Sequence, residues 1–428
     1  MKFFRHIVLL TPCTLALGLL FLTVSAAAAD TRWTSVGSQE PGSSDRPVWS
    51  IAVSPAHPSV ILAATQGHGV VRSTDSGATW TSVISSVLNA WSIRFDPQLA
   101  GTVYAGTQTD GFYKSTDEGK TWSAASQGLS SMDVRAVDAG NGLIVVGTAQ
   151  GVFYSNDAAV SWHSLGLSGL SIAAVGLLPK ATGMTIFAGA DNGSSPLGGY
   201  LLKTDDLSGS WVAVKGSFPG DAVVASLAVA SGPSGGTDPP VLAGTSQGLF
   251  RSDDRGTTWA PLGGLPTSDF NVGFFNPANP DQIYAGSDAD QGNGGVFRSL
   301  DRGASWSPLG AGLPSRPRVT ALGLQPLNPA EVVAATWNPT DGSVGVYRIA
   351  DTAASIAGAS PGATAVATSR ASTTARATIP APVPVRRSSG SIAYQPYAAA
   401  AAILLALIAV ILLRRWRIRR EDRRTYAP

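Results

Sequence analysis

Cysteine is almost absent from this sequence. The single one, Cys13, lies in the first apolar run, so residues 30–351 carry neither a disulfide nor a thiolate. An exported chain without disulfides suits a prokaryotic source better than a eukaryotic secretory pathway. Histidine is scarce too, four in all, and their placement makes no recognisable zinc site, so no metal and no cofactor are expected. Between residues 30 and 351 glutamate occurs only at positions 40, 118 and 331. The same stretch holds 17 Lys and Arg against 26 Asp and Glu. An acidic domain without clustered cations cannot neutralise a phosphate backbone, so nucleic acid is not its ligand.

Long hydrophobic runs are confined to the two ends. Residues 1–29, with Lys2 and Arg5 ahead of the apolar stretch and small residues at its close, read as a secretory signal peptide cleaved after Ala27 or Ala29. Pro12 before Cys13, with most of the apolar run after it, does not make a lipoprotein signal. Residues 392–413 are apolar and near the length of a spanning helix. The tail that follows, 414–428, carries seven arginines, which assigns that side to the cytoplasm. Residues 352–391 are Ala, Ser, Thr and Pro with few large apolar side chains, the composition of an unfolded stalk. The order predicts a single-pass, bacterial cell-membrane protein with residues 30–351 displayed outside.

What is abundant is repetition. The octet "STDSGATW" (73–80) returns as "STDEGKTW" (115–122), "SNDAAVSW" (155–162), "TDDLSGSW" (204–211), "SDDRGTTW" (252–259) and "SLDRGASW" (299–306). The copies are spaced 40 to 49 residues apart, and Ala159 and Ser208 replace the glycine in the third and fourth. Ahead of each octet stand three segments with period-2 alternation, β-branched and aromatic residues and turn residues at the breaks, which predicts strands. A fourth strand begins at each Trp.

Four strands in about 45 residues describe a propeller blade, which cannot bury both faces alone and packs radially on its neighbours. A seventh set of three strands lies at 318–350 without an octet, and 32–37 ("RWTSVG") supplies the missing fourth. The expected fold is all-β: a seven-bladed propeller over 30–351, closed by a composite blade that removes its open edges.

In each octet, Gly provides a positive φ, Ser/Thr and Asp offer oxygens to the backbone of a tight turn, and Trp packs between blades. The motif resembles the Asp-box, or bacterial neuraminidase repeat, shared by sialidases, sortilin-type receptors, xyloglucan-cleaving endoglucanases and the photosystem II assembly and stability factor. That resemblance implies a propeller in which the boxes sit away from the ligand. Asp75, Gly77, Trp80, Asp117, Gly119, Trp122, Asp157, Trp162, Asp206, Trp211, Asp254, Gly256, Trp259, Asp301, Gly303 and Trp306 are therefore read as structural. One carboxylate per turn is also too few for Ca²⁺.

The same resemblance places ligands on the opposite face, made by the loops leading into each first strand and those between second and third strands. Arg46, Asn89, Asp133, Asp221, Asp269 and Arg318 lie there, and Arg94 and Arg135 lie on innermost strands facing the channel. A sialidase needs an arginine triad, a tyrosine nucleophile and an activating glutamate; the three glutamates are misplaced for it and the F/Y-R-I-P motif is missing. The expectation is a non-enzymatic binding protein for a protein or peptide, similar to the assembly factor or sortilin. The alternative is a glycan-directed protein, lectin-like or a hydrolase using Asp133, Asp221 and Asp269.

Overall fold

The computed structural model describes residues 32–36 and 47–353, apart from 85, 192–199, 216, 234–237, 267–268, 289–293, 326–329 and 339. The signal peptide, nearly all of the stalk, the apolar segment 392–413, the basic tail and Arg46 lie outside the described residues. Among the described residues no helix is long and apolar enough to cross a membrane.

The alternating segments form seven four-stranded antiparallel sheets, a seven-bladed β-propeller. Blades one to six occupy residues 48–82, 90–124, 134–166, 172–213, 224–262 and 270–308. In the seventh, Arg318–Gln325, Ala330–Trp337 and Val344–Asp351 are joined by Thr34–Ser35, which pairs with Tyr347 and Arg348. The composite closure expected from 32–37 is thus formed across the whole chain. Trp33 reinforces it, 3% exposed, with its indole N–H donating to Leu309 O at 2.5 Å in blade six.

The sheet order runs first strand to fourth in every blade, and the first strands pack on one another around the axis. They are almost wholly buried, Val48–Val53 and Val134–Gly140 among them, because each is covered by its neighbours on both sides. Between blades lie successive apolar layers, such as Ile51, Val53, Val71 and Val36 against Ala321, Val333 and Val346.

The octets are the turns from third to fourth strands, and five of the six share one hydrogen-bond pattern. In the second, Ser115 Oγ donates to Asp117 Oδ1 at 2.8 Å and accepts from Gly119 N at 2.8 Å. Asp117 also takes the Thr121 amide at 2.9 Å and hydroxyl at 2.6 Å. The fourth copy lacks this pattern; there Thr204 Oγ1 donates to the Asp206 carbonyl at 3.2 Å and Gly209 carries the positive φ. Sequence reasoning assigned the left-handed residue to Gly alone. The turn in fact holds two in succession, for example Glu118 (φ 59°) before Gly119 (φ 76°), and in the third copy Ala158 and Ala159 fill both places.

A basic residue stands near the end of the third strand in every blade but the third. It latches adjacent blades: Arg72 Nε donates to Glu118 O at 2.9 Å, and Lys114 Nζ to Ala158 O at 2.9 Å. Lys203 and Arg251 reach Arg255 O and Arg302 O in the same way, at 3.4 and 3.3 Å. Each caps the carbonyl of the first left-handed residue in the next octet, a carbonyl that the turn itself leaves without a strand partner.

Candidate functional site

Ser76 N and Glu118 N donate to Ser59 O and Gly101 O, which seats the octets beside the proline-rich turns on one face. The opposite face is braced by a second set of backbone bonds. Gln108 N donates to Asn89 O, Ala149 N to Asp133 O, and Asp288 N to Asp269 O, all at 2.9–3.0 Å. These bonds tie the loop leading into each blade to the loop between its second and third strands.

On this loop face every first strand is interrupted at the same level. The register slips by one residue between Val48 and Ser50, Ala90 and Ser92, Val134 and Ala136, and likewise in the other four blades. A bulged residue is released from the ladder and its side chain re-aimed. Around the channel the seven released residues are Trp49, Trp91, Arg135, Ala173, Ala225, Asn271 and Thr320. Bulk and charge are concentrated in blades one to three, while blades four and five carry only methyl groups.

These residues anchor a continuous row beneath the face, with Trp49, Trp91 and Arg135 buried. Asp288 of blade six forms an ion pair with Arg318, Oδ2 to Nε 2.7 Å, and the Arg318 guanidinium lies 5.2 Å from the Trp337 ring centre. Trp337 meets Trp49 edge-on at 6.2 Å, and Trp49 meets Trp91 edge-on at 5.7 Å. Trp91 Nε1 donates to Asp133 Oδ1 at 2.9 Å, and Asp133 Oδ2 accepts Arg135 Nη2 at 2.8 Å. Arg135 then reaches blade four through Asp191 at 3.0 Å and the Ser171 hydroxyl. Ion pair, cation–π contact and aromatic edges thus follow one another through six of the seven blades. Two large apolar side chains stand out beside the row, Leu88 at 64% and Met132 at 44% exposure. Trp49 and Trp337 present buried indole N–H groups that meet no acceptor among the described residues.

Of the sequence candidates, Asp133, Arg135 and Arg318 join this row. Asn89 lies beside it as a brace, taking Gly67 N at 3.0 Å and donating to Gln108 Oε1 at 2.7 Å. Asp221 accepts Gln247 Nε2 at 2.9 Å, and Asp269 is half-buried beside Asp288. Arg94 lies at the channel, apart from the loop face. It is the fifth residue of Ala90–Phe95, at the strand's far end, and pairs with Asp138 at 2.9 Å at the channel mouth on the octet face. It therefore shares no site with Arg135, which is the second residue of its own strand. The tryptophans were missed because their spacing matches the apolar periodicity of a buried strand; only the bulge distinguishes them. Among the described residues no group of three or more His, Cys, Asp and Glu is placed to hold a metal ion.

No protein-family model matches the sequence, and no curated protein matches it. Solved structures match in shape. The GH74 xyloglucanase from Xanthomonas campestris superposes with a TM-score of 0.57 at 17% identity, over 76% of this chain and 54% of that one. YCF48 from Cyanidioschyzon merolae gives 0.50 at 15% identity, over 74% of this chain and 98% of its own. A structure of YCF48 bound to D1 peptide gives 0.52 at 15%, over 76% and 97%. At these identities the likeness is one of fold. The chain spans about half the length of the GH74 structures and nearly all of YCF48.

Proposed function

We propose that this chain is a binding protein displayed outside the cell membrane, whose loop face recognises a protein or peptide segment. The observation that carries the reading is the row from Arg318 through Trp337, Trp49 and Trp91 to Arg135, flanked by the exposed Leu88 and Met132. Trp49, Trp91 and Arg135 are buried, so the row acts as a fixed floor that orders the loops carrying the exposed Leu88 and Met132 before a partner arrives. YCF48, a propeller of matching length, is known bound to a peptide and supports the same reading.

The anchor belongs to this proposal: the signal peptide exports the propeller and 392–413 holds it to the membrane. The last strand, Val344–Asp351, ends where other blades turn into their octet, so the chain leaves the propeller on the octet face. The carboxylates of the hydrolase alternative are engaged, Asp133 by Arg135 and Trp91, and Asp221 by Gln247, which favours binding over catalysis.

Photo-crosslinking from the loop face in intact cells identifies the partner, and its affinity for the purified chain is then measured. The exposed pair Leu88→Asp and Met132→Asp is expected to weaken that affinity tenfold or more, about 1.4 kcal/mol, while leaving the unfolding midpoint in place. Retention of full affinity would remove the loop face from the proposal, and release of reducing sugar from a polysaccharide would replace it with the hydrolase reading.

A further inference from the structure

The channel mouth on the octet face contains a cavity of about 260 Å³. It opens between the ends of the first strands of blades two to six and the turns that follow them. Its floor is apolar, with Leu177, Val229 and Phe275, and its polar groups converge on one point, the Arg94–Asp138 ion pair. Asp138 is 7% exposed and fully engaged on one oxygen: Oδ1 takes Arg94 Nη2 and the Ala139 amide, while Oδ2, among the described residues, takes the Leu177 amide alone at 2.8 Å. A carboxylate has about four acceptor positions, so one on Oδ2 is still available to a donor. At the rim, Gln98 Nε2 donates to Asn141 Oδ1 at 2.7 Å and Asn141 Nδ2 donates to Met184 Sδ at 3.8 Å, leaving the Gln98 carbonyl and the second hydrogen of Asn141 Nδ2 to a ligand, one acceptor and one donor.

We propose that this mouth is a second binding site, separate from the loop face, for a neutral hydroxyl-rich molecule the size of one sugar ring. The charges select against ions of either sign: an anion meets Asp138, a cation meets Arg94, and the pair together presents no net charge. Adjacent acceptor and donor groups suit a hydroxyl, which donates and accepts at once. The apolar floor takes the C–H face of the ring. A volume somewhat below that of pockets for drug-sized ligands sets the size at one ring.

The test is ligand-observed NMR and calorimetry on the full chain with glucose, galactose and mannose, and with glucuronic acid as the charged counterpart. A neutral sugar is expected to bind with a Kd of about 1 mM, the order for a ligand of so few atoms. Gly140→Leu fills the cavity without touching the fold, since a side chain there starts in open space, and it is expected to abolish binding. Asp138→Asn is expected to weaken it about tenfold by replacing the acceptor oxygen. Leu88→Asp, on the other face, leaves it unchanged. Failure of all three neutral sugars to bind, equal binding of glucuronic acid, or binding that survives Gly140→Leu overturns the assignment. None of these outcomes depends on the loop-face reading.

Discussion

At the scale of single residues, the octet shows how one backbone position is solved in two ways. Gly256, with φ +71°, is pressed on Phe187: an added Cβ would come 2.4 Å from the Phe187 ring, which is itself fully buried. Gly256→Ala therefore combines left-handed strain with overpacking and is expected to cost about 2–4 kcal/mol in denaturant unfolding. Ala159 adopts φ 68° at the equivalent place, yet its methyl is 3% exposed within the layer of Phe112, Phe153 and Trp162. Ala159→Gly would relieve roughly 1–2 kcal/mol of strain but lose about 0.8 kcal/mol of burial and add chain entropy to the unfolded state. The two sides cancel, and the unfolding midpoint is expected to stay nearly constant. A loss as large as that of Gly256→Ala would mean the methyl contact dominates.

At the scale of the turn, the six octets make one collective electrostatic device. Burial raises the Asp117 carboxyl, but the Thr121 hydroxyl and amide, Ser115 and the Lys120 amide outweigh it and hold the group at about 2. Thr79 holds Asp75 below the usual carboxylate range, Ser161 does so for Asp157, Ser208 for Asp206 and Ser305 for Asp301; in Asp254 the Thr258 bonds overcome burial. A carboxylate with a depressed folded pKa contributes stability that is complete above its unfolded value and lost as pH falls through the folded one. Stability is expected to decline between about pH 4 and pH 2, with little change above, followed by far-UV circular dichroism against denaturant at each pH. Asp117→Asn should flatten part of that acid limb. An unchanged profile would show that the octets titrate alike in folded and unfolded chains.

At the scale of the whole molecule, closure depends on a strand of two residues. Removing residues 32–36 strips the partner from Val344–Asp351 and the Trp33 ring from its seat beside blade six. Loss of a buried Trp alone costs about 3–5 kcal/mol, and the exposed edge adds a route to association. The truncated chain is expected to unfold at lower denaturant and to elute partly as aggregate in size exclusion. A monomer of undiminished stability would mean that inter-blade packing, without the composite sheet, closes the ring.

The sequence by itself determined the blades, their number and their closure, because six octets, period-2 strands and one displaced segment are local patterns whose meaning does not change with context. It also pointed to a folding role for the octet Asp and Trp, through their repetition around a ring. Arg135 and Arg318 were legible as channel or loop candidates from strand position alone. What only the tertiary structure decided is which side chains share a surface. Arg94 and Arg135 each lie on a first strand but at opposite ends of it, and a strand several residues long carries them to different mouths of the channel. Trp49 and Trp91 carry no signal of their own in the sequence; a one-residue slip in the ladder sets them side by side, where Trp337, from the last blade, completes their buried cluster. Such a slip is set by how neighbouring blades crowd the innermost strands, a property of the closed ring that no single repeat contains.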